Sequence, residues 1–476
     1  MDKTTNIIPI LPLEQTFYNV EKNTIEDWKI NKKYSLDLEN IANFLALGFM
    51  LGDTTYFKEI KVLKPASKYI IDEKQNIHIK GSDWNWHYTP KDLTFHEVLE
   101  DFIGILEGII KNKIGDKSVL LPISGGLDSR TLFVASKHST KLNLASYEFE
   151  GGLKESYVGE NLSKYFNLPF FSQQIPNGYL WSKINEISKL NGCLTDFTHP
   201  RQVSVLNSWK SVADVVLLGH WGDVLFDSFR LKKNISYEEQ LFYLKNKILI
   251  NSGGIELARE LWGVWGLSES FDIKFNNLID SLYSSINIDH PCAKLRAFKS
   301  LYWAPRWTST NLSLFKNLGE LVVPYYNNKM CNFVCSVEDE YLSGRKIQIE
   351  YIKKFCYISS NLKWDKYEPL NLNTYNYFSH RAYLPIRGFN KIKRLLSEKF
   401  IGKESPIIRN WEIQFLGQNN YKNLYNHLIN SSLVKLVPKD IILKYLNKFN
   451  DEPVKYSHPI SMLLTLALFS RQYYRK

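Results

Sequence analysis

Apolar residues recur every three or four positions through FHEVLEDFIGILEGIIKNKI, residues 95–114, and predict an amphipathic helix. The run DLENIANFLALGFML, from residue 37, has the same spacing, with Asp37 as its cap. Between them, SKYIIDEKQNIHIK holds two β-prone runs around a polar turn, Asp72 to Asn76, and predicts a hairpin. Residues 1–95 therefore read as a small β-rich unit. From 117 the pattern alternates. SVLLPI is an apolar strand, SRTLFVASKH a helix, LNLASYEF a strand, SYVGENLSKYFN a helix and FFSQQI a strand. WKSVADVVLLG reads as a helix running into a further apolar strand. Strands alternating with helices predict an α/β fold with a doubly wound parallel sheet, whose ligands sit at the carboxyl ends of strands. After about residue 235 the pattern is mainly helical to the end.

The 476 residues suffice for two or three domains, and 44% apolar and 23% charged residues are ordinary for a globular chain. The net charge of +11 suggests an acidic partner or substrate. Over half of that excess lies in 381–410, where Arg381, Arg387, Lys391, Lys393, Arg394, Lys399, Lys403 and Arg409 face only Glu398 and Glu404. There Ile392, Leu395, Leu396 and Phe400 share one helical face, which either lies on an anionic surface or covers core beneath a solvated basic face. Cys331 and Cys335 have no second pair or nearby histidine, so they read as buried thiols on one helix face. The first residues lack a secretory pattern, and the longest apolar run, MLLTLALF at 462–469, falls short of the ~18 residues of a span. These features point to a cytoplasmic protein with no membrane span.

The candidate chemistry sits in SVLLPISGGLDSRTLF, 118–133. A glycine turn between strand and helix holds phosphate through backbone N–H groups and the helix N-terminus. No lysine follows the glycines, which excludes a Walker A loop, and no third glycine completes a dinucleotide fingerprint. Ser124-Gly125-Gly126-Leu127-Asp128-Ser129 instead resembles the Ser-Gly-Gly-x-Asp-Ser pyrophosphate loop of the N-type ATP pyrophosphatases. Asp128 suits phosphate only through a metal, so it is a candidate Mg²⁺ ligand. A second carboxylate is offered by Asp223 in VVLLGHWGDVLFDSF.

Gly219-His220-Trp221-Gly222-Asp223-Val224-Leu225-Phe226 resembles the second motif of the asparagine synthetase family. VVPYYNNKMCNFVCSVEDE (322–340), LKWDKYEPL (362–370) and YSHPISMLLTLALFSRQYY (456–474) are similar to further family segments, so the resemblance spans most of the chain. It implies an adenine nucleotide alpha hydrolase-like domain over 96–476, behind a truncated glutaminase-like remnant at 1–95. It implies that ATP and Mg²⁺ are bound, the metal on Asp128 and Asp223. Nucleotide contacts would come from the pyrophosphate loop with Ile123, Phe149, Leu218 and Gly219, and Lys366 would be the catalytic lysine.

The implied activity adenylates a carboxylate and passes it to ammonia or an amine. Residue 2 is Asp2 and no cysteine precedes Cys193, so the family's glutamine-hydrolysing cysteine is missing. Nitrogen would come from free ammonia, a separate amidotransferase or the substrate's own amine. The acid would be a small molecule, peptide or glycan in natural-product or surface-polysaccharide synthesis. Alternatives are an intramolecular cyclase of the lasso-peptide or β-lactam kind and a degenerate ATP-binding partner protein. His220 replaces a family acid and is either a base or a polar filler; Val224 replaces another. Asp196, His199 and Arg201 form either a substrate-facing loop or a helix start with Pro200 in its first turn. The basic balance also admits a nucleic-acid enzyme, a reading disfavoured because the charge lies late in the chain with no zinc-type cysteine set or RNA-binding module beside it.

Overall fold

Among the residues that the computed structural model describes, 5–379, 385 and 407–474 apart from 198 and 368, eleven strands form three sheets. Six belong to the N-terminal part: β1 (Thr5–Ile7), β2 (Phe17–Asn19), β3 (Thr24–Glu26), β4 (Ile60–Val62), β5 (Ser67–Ile71) and β6 (Ile77–Ser82). They make two antiparallel sheets, β1-β5-β6 and β3-β2-β4. The expected hairpin is β5–β6, and the Asp72 carboxylate closes its turn by accepting from the Lys74 and Asn76 N–H groups at 2.9 and 2.8 Å. The expected helix spans Leu38–Leu47, with Asp37 accepting from the Asn40 N–H at 3.1 Å.

Among the described residues the main apolar core joins residues from both ends of the chain, Ile10 to Phe469, beside a small second cluster of Ile8, Leu63 and Ile77. Tyr56 stacks on Phe469 of the C-terminal helix Pro453–Tyr473 with ring centroids 3.8 Å apart, and its hydroxyl donates to the Cys193 carbonyl. MLLTLALF is buried on all sides within that helix, and among the described residues no helix is long and apolar enough to cross a membrane. Cys331 and Cys335 are both buried in the helix Asn328–Cys335.

The remaining strands are β7 (Val119–Pro122), β8 (Leu142–Phe149), β9 (Phe170–Ile175), β10 (Val215–Leu217) and β11 (Glu320–Val322). They form a five-stranded, wholly parallel sheet in the order β11-β10-β7-β8-β9. Of the three inner strands, β7 and β10 are continuous apolar runs because both of their faces are covered. From β7 the chain lays β8 and β9 on one side, then crosses back to lay β10 and β11 on the other. The order therefore reverses between β7 and β10, the point at which open α/β sheets leave a crevice beyond their carboxyl ends.

Two expectations need correction. The helix before β10 is only Leu206–Trp209, because Lys210 turns extended and Ser211 takes φ 62, which ends the helix before Val212. The helical C-terminal part also contains a strand: β11 is three residues long and is followed closely by Pro324, so it leaves little periodic signal. The basic run of 381–410 falls largely outside the described residues. Of it, Arg409 lies 4.0 Å from Glu412.

Candidate active site

The loop after β7 and the loop after β10 meet across the reversal point. Helix Leu127–Ser136 starts at Gly126 without a side-chain cap, so its first N–H groups face the loop. The two serines tie the loop together. Ser129 Oγ accepts from the Ser124 N–H at 3.1 Å, and Ser124 Oγ accepts from the Gly126 N–H at 3.3 Å. The second loop passes so close that a Cβ on Gly222 would lie 2.0 Å from Asp128 Oδ1, which only glycine allows.

A cavity of about 550 Å³ opens at this junction. Of the residues expected to bind nucleotide, Ile123, Ser124, Asp128, Ser129, Leu218 and Gly219 line it. His220, Asp223 and Val224 line it too. Gly125, Gly126 and Leu127 belong to the loop but not to the wall. Phe149 is buried beside the cavity, its ring 5.8 Å from the Arg201 guanidinium. Lys366 lies outside, in the turn Asp365–Tyr367, with Nζ 5.6 Å from the Tyr367 ring.

Asp128 is not an isolated carboxylate. Arg345 is ion-paired to Oδ1, and Gln348 Nε2 donates to the same oxygen at 3.1 Å. Tyr325 donates to the Asp128 carbonyl at 3.3 Å and accepts from Gln348 at 3.0 Å. The Asp128 carboxyl is raised to about 6, chiefly by burial; Arg345 opposes the shift and the charge of Asp223 adds to it. Arg345 has φ 65 and Trp221 has φ 76, so two residues of bulky side chain hold left-handed backbone beside the cavity.

Of the trio Asp196, His199 and Arg201, only Arg201 reaches the cavity. His199 packs edge-on against Trp307 at 4.6 Å. Pro200 precedes a short 3₁₀ turn, Arg201–Ser204, that has no side-chain cap. Arg201 lies over the Tyr147 ring, donates to its hydroxyl at 3.3 Å and lowers the pKa of Glu155, which burial raises.

Lys299, at the start of the π-helical stretch Lys299–Thr308, also lines the cavity. Desolvation lowers its pKa, and Asp223 opposes that shift. Nothing in the sequence marks Lys299, Arg345 or Gln348, because each acts on a loop distant in the chain.

A second cavity, about 650 Å³, is walled by Trp84, Trp86 and Tyr302 and contains no expected site residue. His290, Cys292 and Asp339 cluster away from both cavities, and Asp339 is already held by Arg296 at 2.6 Å and by Ser228.

His220 carries a testable pH signature. Burial is the main cause that lowers its pKa to about 4; Asp223 opposes the shift and Arg201 adds to it. Between pH 4 and the ordinary value near 6.5 the unfolded chain binds the extra proton, so stability rises with pH. His220→Phe should remove that contribution: the stability difference, wild type minus variant, should climb from pH 4 to 6.5 and then level off in urea titrations. A flat difference would show a solvated imidazole.

No protein-family model and no curated protein matches the chain.

Proposed function

We propose that this chain is an ATP-dependent amide ligase that forms AMP and pyrophosphate, with an N-type ATP pyrophosphatase domain resembling that of the asparagine synthetases. The observation that carries this reading is the convergence of a pyrophosphate-type loop and the Asp128–Asp223 carboxylate pair at the reversal point of a parallel sheet. Under it, 1–95 is the glutaminase-like remnant and 96–476 the ligase proper.

The β and γ phosphates of ATP would lie on the loop N–H groups and the uncapped helix end. Two hard oxygen donors from separate loops, close enough that one raises the other's pKa, fit a magnesium ion. When bound, magnesium would supply positive charge against the phosphate oxygens. A substrate carboxylate oxygen attacks the α-phosphorus. The bond to the bridging oxygen breaks, pyrophosphate leaves and an acyl-adenylate forms. An amine or ammonia nitrogen then attacks the acyl carbon, gives up a proton and expels AMP. His220, kept neutral by burial, has a lone pair to take that proton.

The test is release from ATP and Mg²⁺ with pooled carboxylates and ammonia, comparing wild type with Asp128→Ala. Equal yields of AMP and pyrophosphate that vanish in the variant support the ligase; ADP and phosphate would overturn it. ATP binding without any release would favour the non-catalytic reading, for which the protein's own pairing of Asp128 with Arg345 speaks.

Asp365 offers a further check. Its carboxylate rests on the loop, where a Cβ at Gly125 would lie 1.6 Å from Oδ2. A negative charge there repels phosphate, so Asp365→Asn should tighten ATP–Mg²⁺ binding about fivefold, the effect of ~1 kcal/mol of repulsion near an exposed site. Unchanged or weaker binding by calorimetry would place the triphosphate elsewhere.

A further inference from the structure

Lys299 is a charged group in the cavity wall. It makes no hydrogen bond or ion pair with any described residue, yet its side chain is largely withdrawn from solvent and lines the cavity. Its ammonium sits 5.3 Å from the Trp303 ring centroid, 5.6 Å from Trp221 and 6.0 Å from Phe229. Such a cage holds a cation while leaving its N–H donors unspent. Trp221 is fixed in turn: its Nε1 donates to Ser300 Oγ at 3.1 Å, and its backbone holds φ 76. Lys299 is part-buried in the cavity wall, so its donors can meet an acceptor that enters the cavity.

The position gives the use. Lys299 lies on the β10 side of the loops with His220, Trp221 and Asp223, whereas Arg201 and Tyr147 occupy the β8 side. Flat rings also wall this cavity: Trp303, which the ammonium touches, with Trp307 and Phe315. Trp303 and Trp307 stand edge to face at 6.2 Å, a geometry that presents one ring face to the space beside Lys299.

We propose that the β10 side of this cavity is the acid-substrate subsite, that Lys299 binds the substrate's carboxylate, and that the tryptophan walls select a carboxylate carried on a ring. The proposal rests on the ligase reading for its place in the reaction. Adenylation brings a carboxylate against a triphosphate, and a cation beside Asp223 offsets that repulsion. Lys299 is therefore a substrate-binding and specificity residue, and the acid is a sugar acid or an aromatic acid rather than an open-chain one.

The test uses the full chain with Mg²⁺ and α,β-methylene-ATP. Acetylation of Lys299 by acetic anhydride is followed by peptide mass spectrometry, alone and with glucuronate, benzoate, succinate or glucose. A ring carboxylate should slow the labelling of Lys299, succinate should do so less, and glucose, which lacks the carboxylate, should not. Whether glucuronate or benzoate protects better separates the two ring types. By calorimetry, Lys299→Met should weaken the protecting acid by about tenfold to a hundredfold, the loss of a charge-assisted hydrogen bond, and Lys299→Arg should restore part of it.

Nucleotide binding measured on each variant reports on the fold separately. If nucleotide binds and no carboxylate slows labelling, the subsite is overturned while the ligase reading stands. Protection by the nucleotide analogue alone would also overturn it, making Lys299 a phosphate contact. If glucuronate or benzoate protects and nucleotide does not bind, the subsite stands and the ligase reading falls.

Discussion

Asp223→Asn is expected to abolish pyrophosphate release while leaving the fold as stable as before. Asp223 is exposed in the cavity, with like charge from Asp128 on one side and opposite charge from Lys299 on the other. Those influences oppose each other, and the asparagine keeps the shape, so stability should stay within about 0.5 kcal/mol. Activity has no such compensation. Under the proposed ligase reading, losing one of the two carboxylates that would hold a cation against the phosphates should lower release by about 10²–10³-fold.

Asp128→Asn separates the two roles. It should lose release to the same extent, but it also leaves Arg345, whose side chain is 11% exposed, without a counter-charge. Stranding a largely buried cation costs about 3 kcal/mol, and the urea midpoint should fall accordingly. If both variants keep their release, the carboxylate pair has no part in the chemistry. If Asp223→Asn unfolds as readily as Asp128→Asn, Asp223 is a structural residue.

The contrast shows what was legible in the sequence. The strand–loop–helix of 119–136 could be read because its signals are local: an apolar run, two glycines, two serines and a carboxylate within one turn. Asp223 could be read because the apolar strand before it placed it at a sheet end. The partners of Asp128 could not. Arg345 is 217 residues away and Gln348 is 220, and both come from the helical region, where one basic or amide residue looks like any other. Lys299 was hidden for the same reason, since its meaning depends on rings from Trp221, Phe229 and Trp303. Lys366, expected from segment similarity, is not part of the cavity wall, whereas Lys299 is.

Arg130→Met should be the most destabilising single change near the loop. Arg130 directly follows the loop motif and is fully buried. Its guanidinium donates to the Gly125 carbonyl at 3.0 Å, to Ser359 and Leu362 at 3.3 and 3.2 Å, and to Lys363. Burial pulls its pKa down to about 10, so it remains charged at neutral pH. Methionine fills the space but leaves four carbonyls without their donor, at a cost of about 4 kcal/mol. Arg130→Lys should recover less than half, because a point ammonium cannot span the acceptors that a planar fork reaches. Urea unfolding gives the magnitude, and a loss under 1 kcal/mol would show the carbonyls to be satisfied by water. Limited proteolysis gives the place. This side chain ties 359–363 to the phosphate-type loop, so the first new cleavage in Arg130→Met should fall within 359–370. That segment carries Asp365 and Lys366, and its release would free the Asp365 carboxylate from Gly125. The variant should therefore lose stability and gain ATP affinity together, a pairing that a purely structural arginine would not produce.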